Sequence, residues 1–190
     1  MAPGCPNFPA IFNDYVEMRY GVTPEYVNIS YSGKNSEWPL SFCEEKGYVP
    51  VDKAWEEEPD LVIIGFGLND GVGITPSVFI KNINEMVNKF LYGCPDAAVV
   101  VVGTMLPNDQ IRWTPGGKPF LKYHNGYVTF LKSAEESWTN AAFADVTTFH
   151  KELLEIKCFQ DTTGSNTNHP NDYMHRIYAQ VIIQTVFGYE

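Results

Sequence analysis

Positive charge is scarce in this chain of 190 residues: Lys and Arg total 13 against 23 Asp and Glu, for a net charge of −10. That balance leaves no basic stripe to track a phosphate backbone, so no nucleic-acid partner is expected and neutral or weakly polar ligands fit better. Cysteine is sparse as well. Cys5, Cys43, Cys94 and Cys158 are scattered, without a CxxC pair or metal-ligand spacing, and are expected to be free thiols with no metal between them. Long apolar runs are missing. The two longest, from Leu61 to Leu68 and from Ala97 to Leu106, are too short to span a bilayer and are bounded by Asp, Gly and Pro, so they are expected as core strands and no membrane partner is implied. The start, Met1-Ala2-Pro3-Gly4-Cys5-Pro6, lacks the basic region and apolar stretch of a secretory signal. A cytoplasmic location, or secretion after processing, is the corresponding expectation. With no internal repeat or low-complexity tract, residues 1–190 are expected to form a single domain.

What is present is an alternation of two periods. Leu61-Val62-Ile63-Ile64-Gly65-Phe66 and Ala97 to Gly103 are apolar on both faces, the pattern of parallel strands covered on both sides. Weaker strands are expected at Tyr26 to Ser30 and Ala141 to Val146. Between them lie helix-period stripes. Phe8, Ile11, Phe12, Tyr15 and Val16 mark a helix ending near Gly21. Phe79, Ile83, Met86, Val87 and Phe90 mark another, with Thr75 as N-cap, Pro76 at the first position and Gly93 past the end. Further helices are expected from Lys122 to Trp138, Thr148 to Ile156, and Asp172 to Phe187, the last capped by Asn171. Trp113 to Gly117 is expected as a surface loop. The fold class is therefore α/β, a three-layer α/β/α sandwich on a parallel sheet, with ligands at the carboxyl ends of the strands.

Three polar segments stand where such a site would lie. Gly65-Phe66-Gly67-Leu68-Asn69-Asp70-Gly71 follows a strand. As a dinucleotide turn it is poor, because its glycine spacing is off and the next helix begins only after Thr75. Asn69 is better suited to another task, its side-chain amide donating to an oxyanion, although a plain Asn-Asp turn would also account for it. Asn28 to Ser36 is a strand that breaks into a polar loop, where the Gly33 backbone N–H could be a second donor. Asn168-His169-Pro170-Asn171-Asp172 fixes a histidine in a loop, because Pro170 cannot continue a helix; His169 there could serve as a general base. His124 and His150 lie in amphipathic stretches and are expected as ordinary surface histidines.

These segments together resemble the SGNH (GDSL-type) hydrolases. Gly33 in a strand-end loop, Gly-x-Asn-Asp at 67 to 70 and His-Pro-Asn-Asp at 169 to 172 look like that family's second, third and fifth conserved blocks. The likeness extends over nearly the whole chain from Phe8 onward. It implies a flavodoxin-like fold and a serine esterase that acts on acyl esters of carbohydrates or small soluble esters without a metal or organic cofactor. It also implies that Asn69 and Gly33 hold the oxyanion while His169 is the base.

Two departures from the family pattern shape the remaining expectations. No Gly-Asp-Ser block, which would carry the nucleophile after the first strand, occurs in the chain, so that first strand is expected to be missing. The position three before His169, where the family has its acid, is Asn166; Asp161 and Asp172 are alternatives, as is a self-contained Asp172–His175 pair. The chain could be a fragment beginning after the first block. Tyr26 to Ser30 could instead occupy the vacant place, bringing Ser32 or Ser36 to the nucleophile position. A third reading is an inactive remnant that serves as a binding module. A sheet lacking a central strand gives a physical reason for homodimerisation. Trp38, Trp113, Tyr123 and Tyr173 are candidates for a wall against a sugar or aryl group, or for ordinary packing.

Overall fold

The computed structural model describes residues 5–108 and 121–188. Its centre is a parallel sheet of three strands in the order β1 (Leu61–Ile64), β2 (Ala98–Gly103) and β3 (Ala141–Asp145). Both neighbours of β2 are in register with it, Ile64 opposite Val101 and Val101 opposite Phe143. Successive β2 side chains leave opposite faces of the pleat, so Val99 and Val101 join one core while Val100 and Val102 join the other. That double burial is why the strand is a run of valines.

On one face lie α2 (Pro50–Trp55), α3 (Pro76–Gly93) and α4 (Leu121–Glu135). Phe79, Ile83, Met86, Val87 and Phe90 of α3, at helical spacing, form the apolar stripe that meets the sheet. The opposite face carries α1 (Phe8–Tyr20), α5 (Val146–Leu153) and α7 (Asp172–Phe187), with short α6 (Phe159–Thr162) beside them. Phe8 of α1 stacks on Tyr178 of α7 at 5.5 Å between ring centroids. Gly21, at φ 68°, closes α1 in the left-handed conformation that glycine permits, and Asn171 caps α7 by accepting from Met174 N. Among the described residues no helix is long and apolar enough to cross a membrane.

Three expectations need correction. Tyr26 to Ser30 forms no strand: the segment is exposed, and no backbone ladder joins it to another described residue. A strand is stable through its neighbours, and among the described residues β1 has none on its outer side. The segment therefore has not moved in beside β1. Gly93 is the last residue of α3 rather than a residue past it; a Cβ there would lie 1.6 Å from Trp55 Cε3, so glycine is needed to let an indole rest on the helix backbone. His124 and His150 are not surface residues but fully buried ones. The four cysteines are free thiols, and the Trp113 to Gly117 loop lies outside the described residues.

Candidate active site at the carboxyl ends of the strands

The chain leaves β1 through a turn that only its own residues can close. Gly67 sits at φ 136°, and a Cβ on it would come within 3.0 Å of Thr104 Oγ1, so the residue answers both to backbone conformation and to the loop leaving β2. A 3-10 turn, Asp70–Val72, follows. The Asp70 carboxylate is wholly buried and accepts from Gly67 N at 3.1 Å and from Ser36 N at 2.8 Å. Burial pushes this carboxyl above its ordinary range, and the hydrogen bonds from Ser36 and Gly67 oppose that shift. Asp70 thus ties the 31–36 loop to the end of β1.

Asn69 makes the second tie. Its Nδ2 donates to the Lys34 carbonyl at 3.0 Å. A primary amide has two N–H bonds, so one remains for a ligand. Gly33, adjacent to Lys34, is exposed in the left-handed region at φ 76°, and its N–H bonds to no other described residue. A backbone donor and a side-chain donor are thereby held on one loop junction. Tyr31 and Trp38 stand on either side of it in sequence, their ring centroids 5.6 Å apart.

The histidine segment reaches the same end of the sheet from the neighbouring strand. After β2 the chain runs through Thr104 to Asn108, whose N donates to Thr167 O at 2.7 Å and whose Nδ2 donates to Asn166 O at 3.0 Å and Asn166 Oδ1 at 3.2 Å. Asn166 lies at φ 54°, a region that Asn tolerates better than most residues. His169 is exposed, its carbonyl accepting from Gly164 N, while its imidazole bonds to no other described residue. Gly33 and Asn69 are therefore brought together, and the loop of His169 is anchored beyond the adjacent strand.

The alternative acids are engaged elsewhere. Asp161 accepts from Cys158 N and Sγ at the start of α6, which holds its carboxyl below the usual range. Asp172 opens α7, and His175 is buried, with Nδ1 accepting from Phe8 N at 3.3 Å. Ser36 is buried, and its Oγ accepts from Asn82 Nδ2 at 3.0 Å, an arrangement suited to holding the loop. Ser32 is exposed beside Gly33. Of the aromatic residues, Trp38 is half-buried against Tyr31, Tyr123 packs at the edge of the core, Tyr173 is partly exposed under Lys157, and Trp113 lies outside the described residues. Sequence reasoning gave Asp70 no task and overlooked Asn108. The signal for both was position, since each is a polar residue just past the carboxyl end of a buried strand.

A model of the GDSL-like lipase/acylhydrolase family matches residues 4–177. No curated protein sequence matches the chain. Among solved structures, a member of the lipolytic protein G-D-S-L family from Veillonella parvula DSM 2008 is similar with a TM-score of 0.67 at 14% identity, over 98% of this chain and 91% of that one. A lipase/acylhydrolase from Enterococcus faecalis has a TM-score of 0.67 at 15% identity, covering 93% of this chain and 83% of its own. A carbohydrate esterase family 3 protein from Talaromyces cellulolyticus has a TM-score of 0.57 at 18% identity, covering 85% and 70%.

Proposed function

The chain belongs to the GDSL-like lipase/acylhydrolase family, and from that membership we propose that it is a carboxylic ester hydrolase acting on acyl esters of carbohydrates or small soluble alcohols. One observation carries the reading: the bond from Asn69 Nδ2 to Lys34 O, which ties the Asn69 amide to the residue next to Gly33, whose N–H bonds to no other described residue. Two fixed donors of this kind stabilise the charge that develops on a carbonyl oxygen under attack. His169 is the base, and Ser32, although its segment does not fill a place beside β1, is proposed as the nucleophile because it is exposed and directly precedes Gly33, whose N–H could then serve the oxyanion. Ser36 takes no part in this reading.

In the reaction, Ser32 Oγ attacks the acyl carbon and its proton passes to His169. The carbonyl electrons move onto oxygen, held by Gly33 N–H and Asn69 Nδ2, and return as the alcohol leaves with the proton from His169. Water, deprotonated by His169, then cleaves the acyl-serine and restores the hydroxyl. Tyr31 and Trp38 give a substrate ring a surface beside the donors. No cofactor is required. The partners proposed are the ester and, along the open edge of β1, a second copy of the chain.

The test is hydrolysis of p-nitrophenyl acetate by the wild type and by His169→Ala, Asn69→Ala and Ser32→Ala. Loss on His169→Ala and Ser32→Ala, with a decrease of about a hundredfold or more on Asn69→Ala, supports the reading. A rate unchanged by Asn69→Ala refutes the oxyanion role. Activity that needs His169 but not Ser32 moves the nucleophile elsewhere, and a wild type without turnover makes the chain a binding module.

A further inference from the structure

A second concave surface, an open groove of about 830 Å³, runs along the outer side of α3. Its aromatic end, Trp55 at the close of α2 and Tyr92 near the close of α3, lies towards the amino ends of the strands, and neither Asn69 nor Gly33 lines it. The geometry points to a binding site for a neutral oligosaccharide, distinct from the proposed esterase centre.

The aromatic part is fixed in place. The Trp55 indole rests on the backbone at Gly93, where any Cβ would overlap it, and the Trp55 carbonyl accepts from Cys94 Sγ at 3.3 Å. Tyr92 is 83% exposed, with its ring 6.2 Å from that of Trp55 and tilted by 32°. A large aromatic left this bare beside a second, buttressed ring forms a platform for a partly apolar ligand.

The polar part is laid out in a row. Asn84, Asn88 and Tyr92 repeat at i, i+4 along one line of α3, with neighbours roughly 5–6 Å apart at Cβ. Trp138 Nε1 donates to Asn84 Oδ1 at 2.8 Å, orienting that amide through its oxygen and leaving its two N–H bonds available as donors. The Asn88 amide is exposed and bonds to no other described residue. Amides in a row ending on an aromatic face match a chain of pyranoses, which presents hydroxyls at its rim and C–H bonds on its faces.

Charge narrows the ligand class. Lys89 pairs with Asp52 at 3.0 Å, and Lys81 and Glu85 offset each other across one helical turn. On a chain of net charge −10 this groove carries no excess of either sign, so it favours neither a phosphorylated nor a strongly acidic ligand. The two amides argue against a bare acyl chain, which would leave their hydrogen-bonding groups unsatisfied.

The experiment titrates the full chain with xylo-, cello- and chito-oligosaccharides, followed by tryptophan fluorescence and calorimetry, in the wild type, Tyr92→Ala and Asn88→Ala. Both substitutions are on the surface and leave Trp55 and the core intact, and melting temperature and p-nitrophenyl acetate turnover are measured alongside. Binding of at least one series, weakened about tenfold by Tyr92→Ala and also weakened by Asn88→Ala with unchanged melting and turnover, supports the proposal. No binding at millimolar sugar overturns it, and so does binding that the Tyr92→Ala, Asn88→Ala double variant retains in full.

Discussion

His124 and His150 are the residues whose environment departs furthest from their expected one. His124 Nε2 is 2.9 Å from Thr104 Oγ1, while His150 accepts from Leu106 N through Nδ1 and meets Thr162 Oγ1 at 3.0 Å. Burial, as the largest cause, pushes each from 6.5 down to about 4. Between these values the unfolded chain binds a proton that the folded chain refuses, so stability falls as pH falls through that window. Chemical denaturation is expected to show a loss of about 2 kcal/mol per histidine between pH 7 and pH 5. The burial was legible in the spacing. Tyr127, Val128 and Leu131 lie three, four and seven residues after His124, which therefore belongs to the apolar stripe of α4. Asn166 allows a second test at this scale. An aspartate there keeps an acceptor for Asn108 Nδ2 and tolerates the same backbone region. If the Asn166→Asp carboxylate reaches His169, it orients the imidazole and stabilises its charged form, and kcat/KM towards p-nitrophenyl acetate is expected to rise by at least about tenfold.

Elements were legible where one periodicity ran long enough to leave no alternative. The α3 stripe and the β2 valines fix a helix and a doubly covered strand, and α7 begins and ends where its cap and apolar pattern place it. Tyr26 to Ser30 has strand composition as well, but composition does not supply a neighbour, and no described strand lies on the outer side of β1. The candidate site was legible as three loops, since Gly33, Asn69 and His169 are polar breaks after or beside apolar runs. The bonds that join those loops were not: Asp70 to Ser36, Asn69 to Lys34 and Asn108 to Asn166 link positions distant in sequence. Gly93 separates the two kinds of knowledge. Its place near a helix end suggested a cap, whereas its cause is an indole brought from α2. Gly93→Ala is accordingly expected to destabilise the fold by about 1–3 kcal/mol, seen as a lower melting temperature, and Trp55→Ala in the same chain should remove most of that penalty.

Across the whole molecule, the proposed oxyanion donors lie where the strands end, and the proposed groove runs along the outer side of α3 with its aromatic pair towards the ends where strands begin. Among the described residues the sheet has two open flanks, the outer sides of β1 and of β3. Alternation along β1 turns every second N–H and C=O away from β2, and no described strand receives them. Pairing of two chains along that flank is expected to make sedimentation depend on protein concentration, and Ile63→Pro, which removes one outward N–H, to abolish that dependence. The same flank has a colloidal consequence. At neutral pH a charge of −10 holds chains apart, but the isoelectric point is about 4.8, where that repulsion vanishes just as the buried histidines cease to favour the fold. Mild acid should therefore turn a soluble preparation turbid before it unfolds completely, with the bare strand as the seed of growing cross-β aggregates.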